Sequence, residues 1–386
     1  AYCVATRPPE SDCELEAPAP DGKADSVEYL EWRKGCLHSC LFRHPDLNVA
    51  DISDQAVALL APLSAEGYKA TPFLDMRSLD HGAEACRFVV PVLQLQELTT
   101  WGNERGLKVG GRTVGDGVHF IFHLGHTGST LLSRALAEID DTLVLREPPL
   151  LSWIASTFAK ASTKQLAALW KSPVLPVLSR RHGEQQTVIV KAKSAVLRFL
   201  RPALRSTRDA KAVFMYSSLR THLTVLLARE EDRFPDAQYE ALEVKGSAFS
   251  QYSVGSSAFE DLSVPKRMAL AWLKRMMFVT SLPQKRILQL DMEAFLADPS
   301  RHLMEVADHF GLELGKREAN SIVGDERVFG TYAKDSSVTW GSAMQTRLMA
   351  GRKEMFREAI EEGVAFARTL LSKHKALRRL EGLIGA

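Results

Sequence analysis

From Gly125 to Thr130 the chain reads Gly-His-Thr-Gly-Ser-Thr, a turn of two glycines, three hydroxyl side chains and one imidazole. Glycines let successive backbone N–H groups converge on one point. A helix starting where such a turn ends adds unpaired N–H donors and a partial positive charge. The chemistry this suits is the holding of an anion, a phosphate above all. A nucleoside-triphosphate loop of the form G-x-x-x-x-G-K-[ST] carries a lysine directly after its second glycine; here Ser129 stands after Gly128. The plain alternative is a strand-turn-helix with an ordinary glycine turn. Elsewhere the chain offers little for other chemistries. Gly-x-Ser-x-Gly is absent, which removes the nucleophile elbow of the α/β-hydrolases, and no paired-carboxylate arrangement argues for a metal hydrolase.

Positioning such a turn takes a strand before it and an amphipathic helix after it. The apolar run VHFIFHL (118–124) supplies the strand, and Leu131, Leu132, Ala135, Leu136 and Ile139 fall on one face of the helix. Further short apolar runs read as buried strands: TLVL (142–145), TVIVK (187–191), AVFMY (212–216) and RILQL (286–290). Helical patterns alternate with them at 129–139, 194–205, 220–230, 265–281 and 299–310, and a long one runs from about 345 to 375. The alternation predicts an α/β protein with a mainly parallel central sheet between helices, a three-layer fold like that of the P-loop NTPases. In such sheets ligands bind beyond the carboxyl ends of the strands, where Gly125–Thr130 falls.

The remainder sets bounds. With 386 residues, 45% of them hydrophobic, and a formal charge of +2, the chain has the composition of an ordinary globular protein. Charge of both signs is spread along it, which argues against a nucleic-acid partner or an anionic membrane surface. No apolar run approaches the length of a membrane span. The cysteines, five in number and all in the first quarter, point to a reducing, cytoplasmic setting, although a first residue of Ala leaves room for a removed leader. Cys36 and Cys40 could begin a metal site, but no second Cys/His pair follows at ligand spacing. Residues 1–24, rich in Pro and acidic residues, read as a disordered or extended tail. Residues 25–116 form an N-terminal α+β extension, with helical patterns SVEYLEWRKGCL and DQAVALLAPL before the strand-like CRFVVPVLQL. Glycines 110, 111, 115 and 117 make the hinge into the main domain at 117–375, and 376–386 is a C-terminal tail. The Ser/Gly-rich stretch 245–262 reads as a lid or a surface insertion.

Taken with its strand, the lysine-free loop resembles the 5′-phosphosulfate loop of the sulfotransferases that use 3′-phosphoadenosine 5′-phosphosulfate (PAPS) without a metal. The run RILQLDMEAFLADPSRHLMEVADHFGLEL (286–314) is similar to the strand, acidic turn and DP helix that these enzymes carry late in the domain. With Glu147-Pro148 and the strand-helix 212–230, the resemblance covers roughly 117–369, closest in motif style to the tyrosyl-protein and bacterial enzymes. It implies that Gly125, His126, Thr127, Gly128, Ser129, Thr130 and Leu131 bind the cofactor, and that Glu147 is the catalytic base for an acceptor hydroxyl or amine. The plain alternative for Glu147 is a cap or a pair with Arg146. The resemblance further implies that Lys191, or Lys193 in its place, stabilises charge on the bridging oxygen, and that His126 stands where the family has Arg or Lys. Transfer would be direct and in line, leaving 3′-phosphoadenosine 5′-phosphate (PAP).

The second nucleotide element departs from the family pattern: Ser217 falls where an Arg belongs, while Arg220 matches a second Arg. Lys334 lies in the segment that resembles the closing C-terminal loop. The expected acceptor is a small molecule, glycan or peptide hydroxyl. Competing readings are a P-loop kinase or other phosphotransferase, and a nucleotide-binding protein on the same fold that has lost catalysis.

Overall fold

The computed structural model describes residues 47–52, 57–62, 88–91, 116–157, 161–179, 186–207, 209–228, 261–332, 335–339 and 342–385. The tail 1–24, the helical pattern at 26–37, all five cysteines, Lys334 and most of 245–262 lie outside the described residues.

Five strands form one sheet: β4 (Val118–His123), β5 (Thr142–Arg146), β6 (Thr187–Lys191), β7 (Ala212–Tyr216) and β8 (Ile287–Asp291), in the order β5-β6-β4-β7-β8. Three earlier strands, β1 (Leu47–Ile52), β2 (Val57–Pro62) and β3 (Phe88–Pro91), form a separate antiparallel sheet. The β5–β6 and β4–β6 pairings are parallel. Phe120 N–H donates to Lys211 O and Leu124 N–H to Met215 O, so β4 and β7 also advance together. Every residue of β4 and β5 is buried, as parallel strands covered on both faces require; this is why they stand out as continuous apolar runs. Though first of the five in the chain, β4 lies in the middle, and the chain leaves it toward one edge before returning to the other. That reversal is the topological switch point at which α/β sheets open a crevice.

Helices follow the strands. In chain order we label α1 (Ser129–Leu136), α2 (Pro149–Thr157), α3 (Leu200–Ser206), α4 (Leu219–Leu227), α5 (Val264–Thr280), α6 (Met292–Ala297), α7 (Pro299–Phe310) and α8 (Arg357–Lys373). α1 stops three residues before its apolar pattern does, because the Thr142 hydroxyl reaches back to the carbonyl oxygens of Leu136 and Ile139, at 2.8 Å each. α7 has the ends expected of a DP helix: the Asp298 side chain accepts from Arg301 N–H, and Gly311 closes it at φ 78°. The long C-terminal helical pattern breaks at Phe356, whose φ of −108° and ψ of 21° lie outside the α region, leaving helices 342–355 and 357–373. The helical expectation for DQAVALLAPL is corrected: Val57–Pro62 is β2, paired with β1 on one side and β3 on the other. A short apolar run cannot declare its period, and here the antiparallel partners settle it.

The described residues fall into two compact units, one holding those up to 121 with 133–192 and 199–212, the other 122–132, 193–198 and those from 213 on. In the first, Trp170 is fully buried, edge-on to Phe120 at 5.4 Å between ring centroids and 5.8 Å from Phe199. Each such side chain removed from water contributes roughly 1.5–3 kcal/mol. In the second, α4, α5 and α8 pack around Trp272, Leu223 and Val364. Gly363 permits the close approach of α8: a Cβ there would stand 2.8 Å from Leu223 Cδ1 and 3.0 Å from Pro265 O.

Candidate functional site

The loop lies in the second unit. β4 ends at His123, Leu124 keeps one last sheet bond to Met215, and the chain then turns through Gly125 at φ 93°, His126 at φ 54° and Gly128 at φ 71°. Left-handed backbone at a non-glycine costs about 1–2 kcal/mol, so His126 is held there by its surroundings. Leu132 N–H donates to Gly128 O, opening α1 directly behind the turn. Ser129 and Thr130 are buried in its first turn, while His126 and Leu131 are half-buried. Thr127 is fully buried, and its Oγ1 has no hydrogen-bond partner. A buried hydroxyl left unpaired costs about 1–3 kcal/mol. That orphan hydroxyl is the feature that fits a bound phosphate.

A neighbouring histidine and an arginine distant in sequence brace the start of this loop. The Leu124–Gly125 peptide is held at both ends: its N–H donates to His123 Nδ1 at 2.9 Å, and its carbonyl accepts from Arg275 Nη1 at 3.2 Å. One turn earlier on α5, Trp272 Nε1 donates to Ser217 O at 3.1 Å. His222 on α4 is 3% exposed; burial, then the charges of Arg275 and His126, push its pKa down to about 3, so at neutral pH it is uncharged. His123, His222 and Arg275 were not singled out from the sequence. The only signal for His123 is a polar residue inside an apolar strand, and Arg275 is one basic residue among several on its helix.

Ser217 is buried, and around it the donors at the start of α4 are engaged. Ser218 Oγ and N–H donate to the Glu293 carboxylate at 3.2 and 3.4 Å, Thr221 N–H donates to Ser218 Oγ, and Arg220 N–H donates to Ile384 O. The Arg220 guanidinium forks onto Glu361, with Nη2 3.2 Å from Oε2. Near them Asp291, the N-cap of α6, has its pKa pushed up to about 6 by burial and by its neighbour Glu293. A 3′-phosphate at Ser217 and Arg220 would therefore have to take Arg220 from an exposed ion pair, an exchange that costs about 1 kcal/mol or less.

In the first unit, Glu147 and Lys191 stand at the ends of the paired strands β5 and β6. Arg146 is opposite Lys191 in the ladder, and Glu147 N–H donates to Lys191 O at 2.7 Å. Their side chains form a direct ion pair, with Lys191 1% and Glu147 8% exposed. Glu147 sits at φ 56°, a left-handed conformation for a residue with a full side chain. A left-handed residue and a buried ion pair thus coincide at the ends of these two strands. Arg146, buried beside it, donates from Nη2 to Ser133 O, and burial lowers its pKa to about 10. Lys193 is half-buried.

No protein-family model matches this chain, and no curated protein matches it in sequence. Among solved structures it is similar to several sulfotransferases. The sulfotransferase domain from the curacin biosynthetic pathway matches at 15% identity and a TM-score of 0.34, over 58% of this chain and 83% of that one. Mouse sulfotransferase SULT7A1 complexed with PAP matches at 12% identity and 0.30, over 66% and 87%. Retinol dehydratase in a complex with retinol and PAP matches at 11% identity and 0.33, over 83% and 92%. Likeness at this level assigns neither substrate nor reaction. No helix among the described residues is long and apolar enough to cross a membrane.

Proposed function

We propose that this chain is a PAPS-dependent sulfotransferase acting on a hydroxyl or amine of a small-molecule, glycan or peptide acceptor. The observation that carries the reading is the loop: a buried, partnerless Thr127 hydroxyl inside a turn whose glycines and following helix start offer backbone donors and no lysine. Gly125–Leu131 would hold the 5′-phosphosulfate, and Ser217, Arg220 and Lys334 the 3′-phosphate. PAPS supplies a sulfuryl group on a phosphate that leaves readily. Glu147 takes the proton from the acceptor through its carboxylate; its pairing with Lys191 fixes that carboxylate in direction. Lys191 and His126 supply positive charge where negative charge builds on the departing phosphate.

The test is thermal melting of the purified chain with PAP, and separately with ATP and magnesium. A ligand bound only by the native state raises the melting temperature. Stabilisation by PAP without metal supports the reading, and stabilisation by ATP with magnesium alone replaces it with a kinase. Glu147→Gln should keep the PAP shift and abolish sulfuryl transfer to acceptors from a hydroxyl-compound panel. Full activity in that variant removes Glu147 as the base.

A further inference from the structure

We propose that His123 and Arg275 form a two-sided clamp on the Leu124–Gly125 peptide that holds the anion-binding loop in shape before any ligand arrives, with Arg275 a positioning residue in place of a loop cation. For its ligand the inference rests on the reading above; for its geometry it does not. A peptide plane has two freedoms of tilt once its strand ends, and this one leaves β4 directly into three left-handed residues out of four, Gly125, His126 and Gly128. The N–H of that plane is taken by His123 Nδ1 and its carbonyl by Arg275 Nη1. With both ends held, a flip of the plane has to break both bonds. The Gly125 N–H is thereby engaged inside the protein. His123 can accept only through an unprotonated Nδ1, which places its proton on Nε2.

Arg275 reaches the loop from α5, a helix already seated by the Trp272 bond to Ser217 O one turn away. The same helix therefore fixes the chain at the ends of both β4 and β7. A guanidinium anchored on a neighbouring helix contributes a fixed positive charge beside the turn, and it loses no side-chain freedom when an anion binds.

Four single variants of the full chain test this: His123→Leu and Arg275→Met remove each arm, while His123→Asn and Arg275→Lys keep an acceptor and a cationic donor. Two measurements are made on each: amide hydrogen exchange over residues 124–128 without ligand, and PAP affinity by calorimetry. One hydrogen bond of this kind is worth about tenfold, so His123→Leu and Arg275→Met should each speed exchange and weaken PAP by about that factor. The two conservative variants should stay within about threefold of wild type. A purely structural role would lower the melting temperature of all four and leave exchange at 124–128 and PAP affinity untouched, which overturns the proposal. Should one variant fail to fold, the other arm decides. A wild-type chain indifferent to PAP sinks the sulfotransferase reading, and exchange in the ligand-free chain still decides the clamp.

Discussion

Replacing Lys191 by Met leaves the Glu147 carboxylate, only 8% exposed, without the ammonium that faces it. Breaking a buried ion pair from one side costs about 3–5 kcal/mol, because the remaining charge is desolvated and uncompensated. Glu147→Gln strands the Lys191 ammonium, at 1% exposure, and should cost a similar amount. The double variant removes both members of the pair and should cost less than either single change, so the cycle returns a coupling of about 3 kcal/mol or more. Because the pair is buried, its removal from one side should be felt at both pH values measured. Urea unfolding followed by tryptophan fluorescence, which reports the buried Trp170 and Trp272, measures all four proteins at pH 7.5 and 5. Single-variant costs below about 1 kcal/mol, or costs that simply add, would mean a solvent-screened surface pair, and the argument from buried charge would fall.

Thr127→Val keeps the shape and removes the partnerless hydroxyl; the ligand-free chain should hold its stability or gain up to about 1 kcal/mol, while PAP affinity drops about tenfold. Equal PAP affinity in calorimetry would take Thr127 out of the site. His222, with a folded pKa near 3 against an ordinary 6.5, adds stability that is complete above pH 6.5 and lost as pH falls toward 3, at up to about 1.4 kcal/mol per pH unit. His222→Gln should therefore flatten the acid side of the stability curve, and denaturant midpoints at pH 7, 5.5 and 4.5 that run parallel to wild type would contradict the burial argument.

Much of the α/β core was legible in the chain because strands buried on both faces cannot hide: VHFIFH, TVIVK and AVFMY are mostly apolar. The DP helix was equally plain, its cap and its closing glycine being local. Val57–Pro62 was misread because six apolar residues fit a helix face and a strand equally well. The braces of the loop escaped for a related reason. His123 and Arg275 look like ordinary members of their strand and helix, and nothing in their neighbours tells which side each presents.

What the sequence determined by itself is the turn: its glycines, its hydroxyls, the missing lysine, and the strand and helix on either side, all within reach of local backbone preference and side-chain period. What only the tertiary structure decided is which distant groups meet: Glu147 with Lys191 across 44 residues, and Leu124 with Arg275 across 151. Those meetings depend on strand order and helix docking, which are settled by burial summed over the whole chain. The charge of a residue is written in its own side chain, but the charge it faces is chosen by the fold.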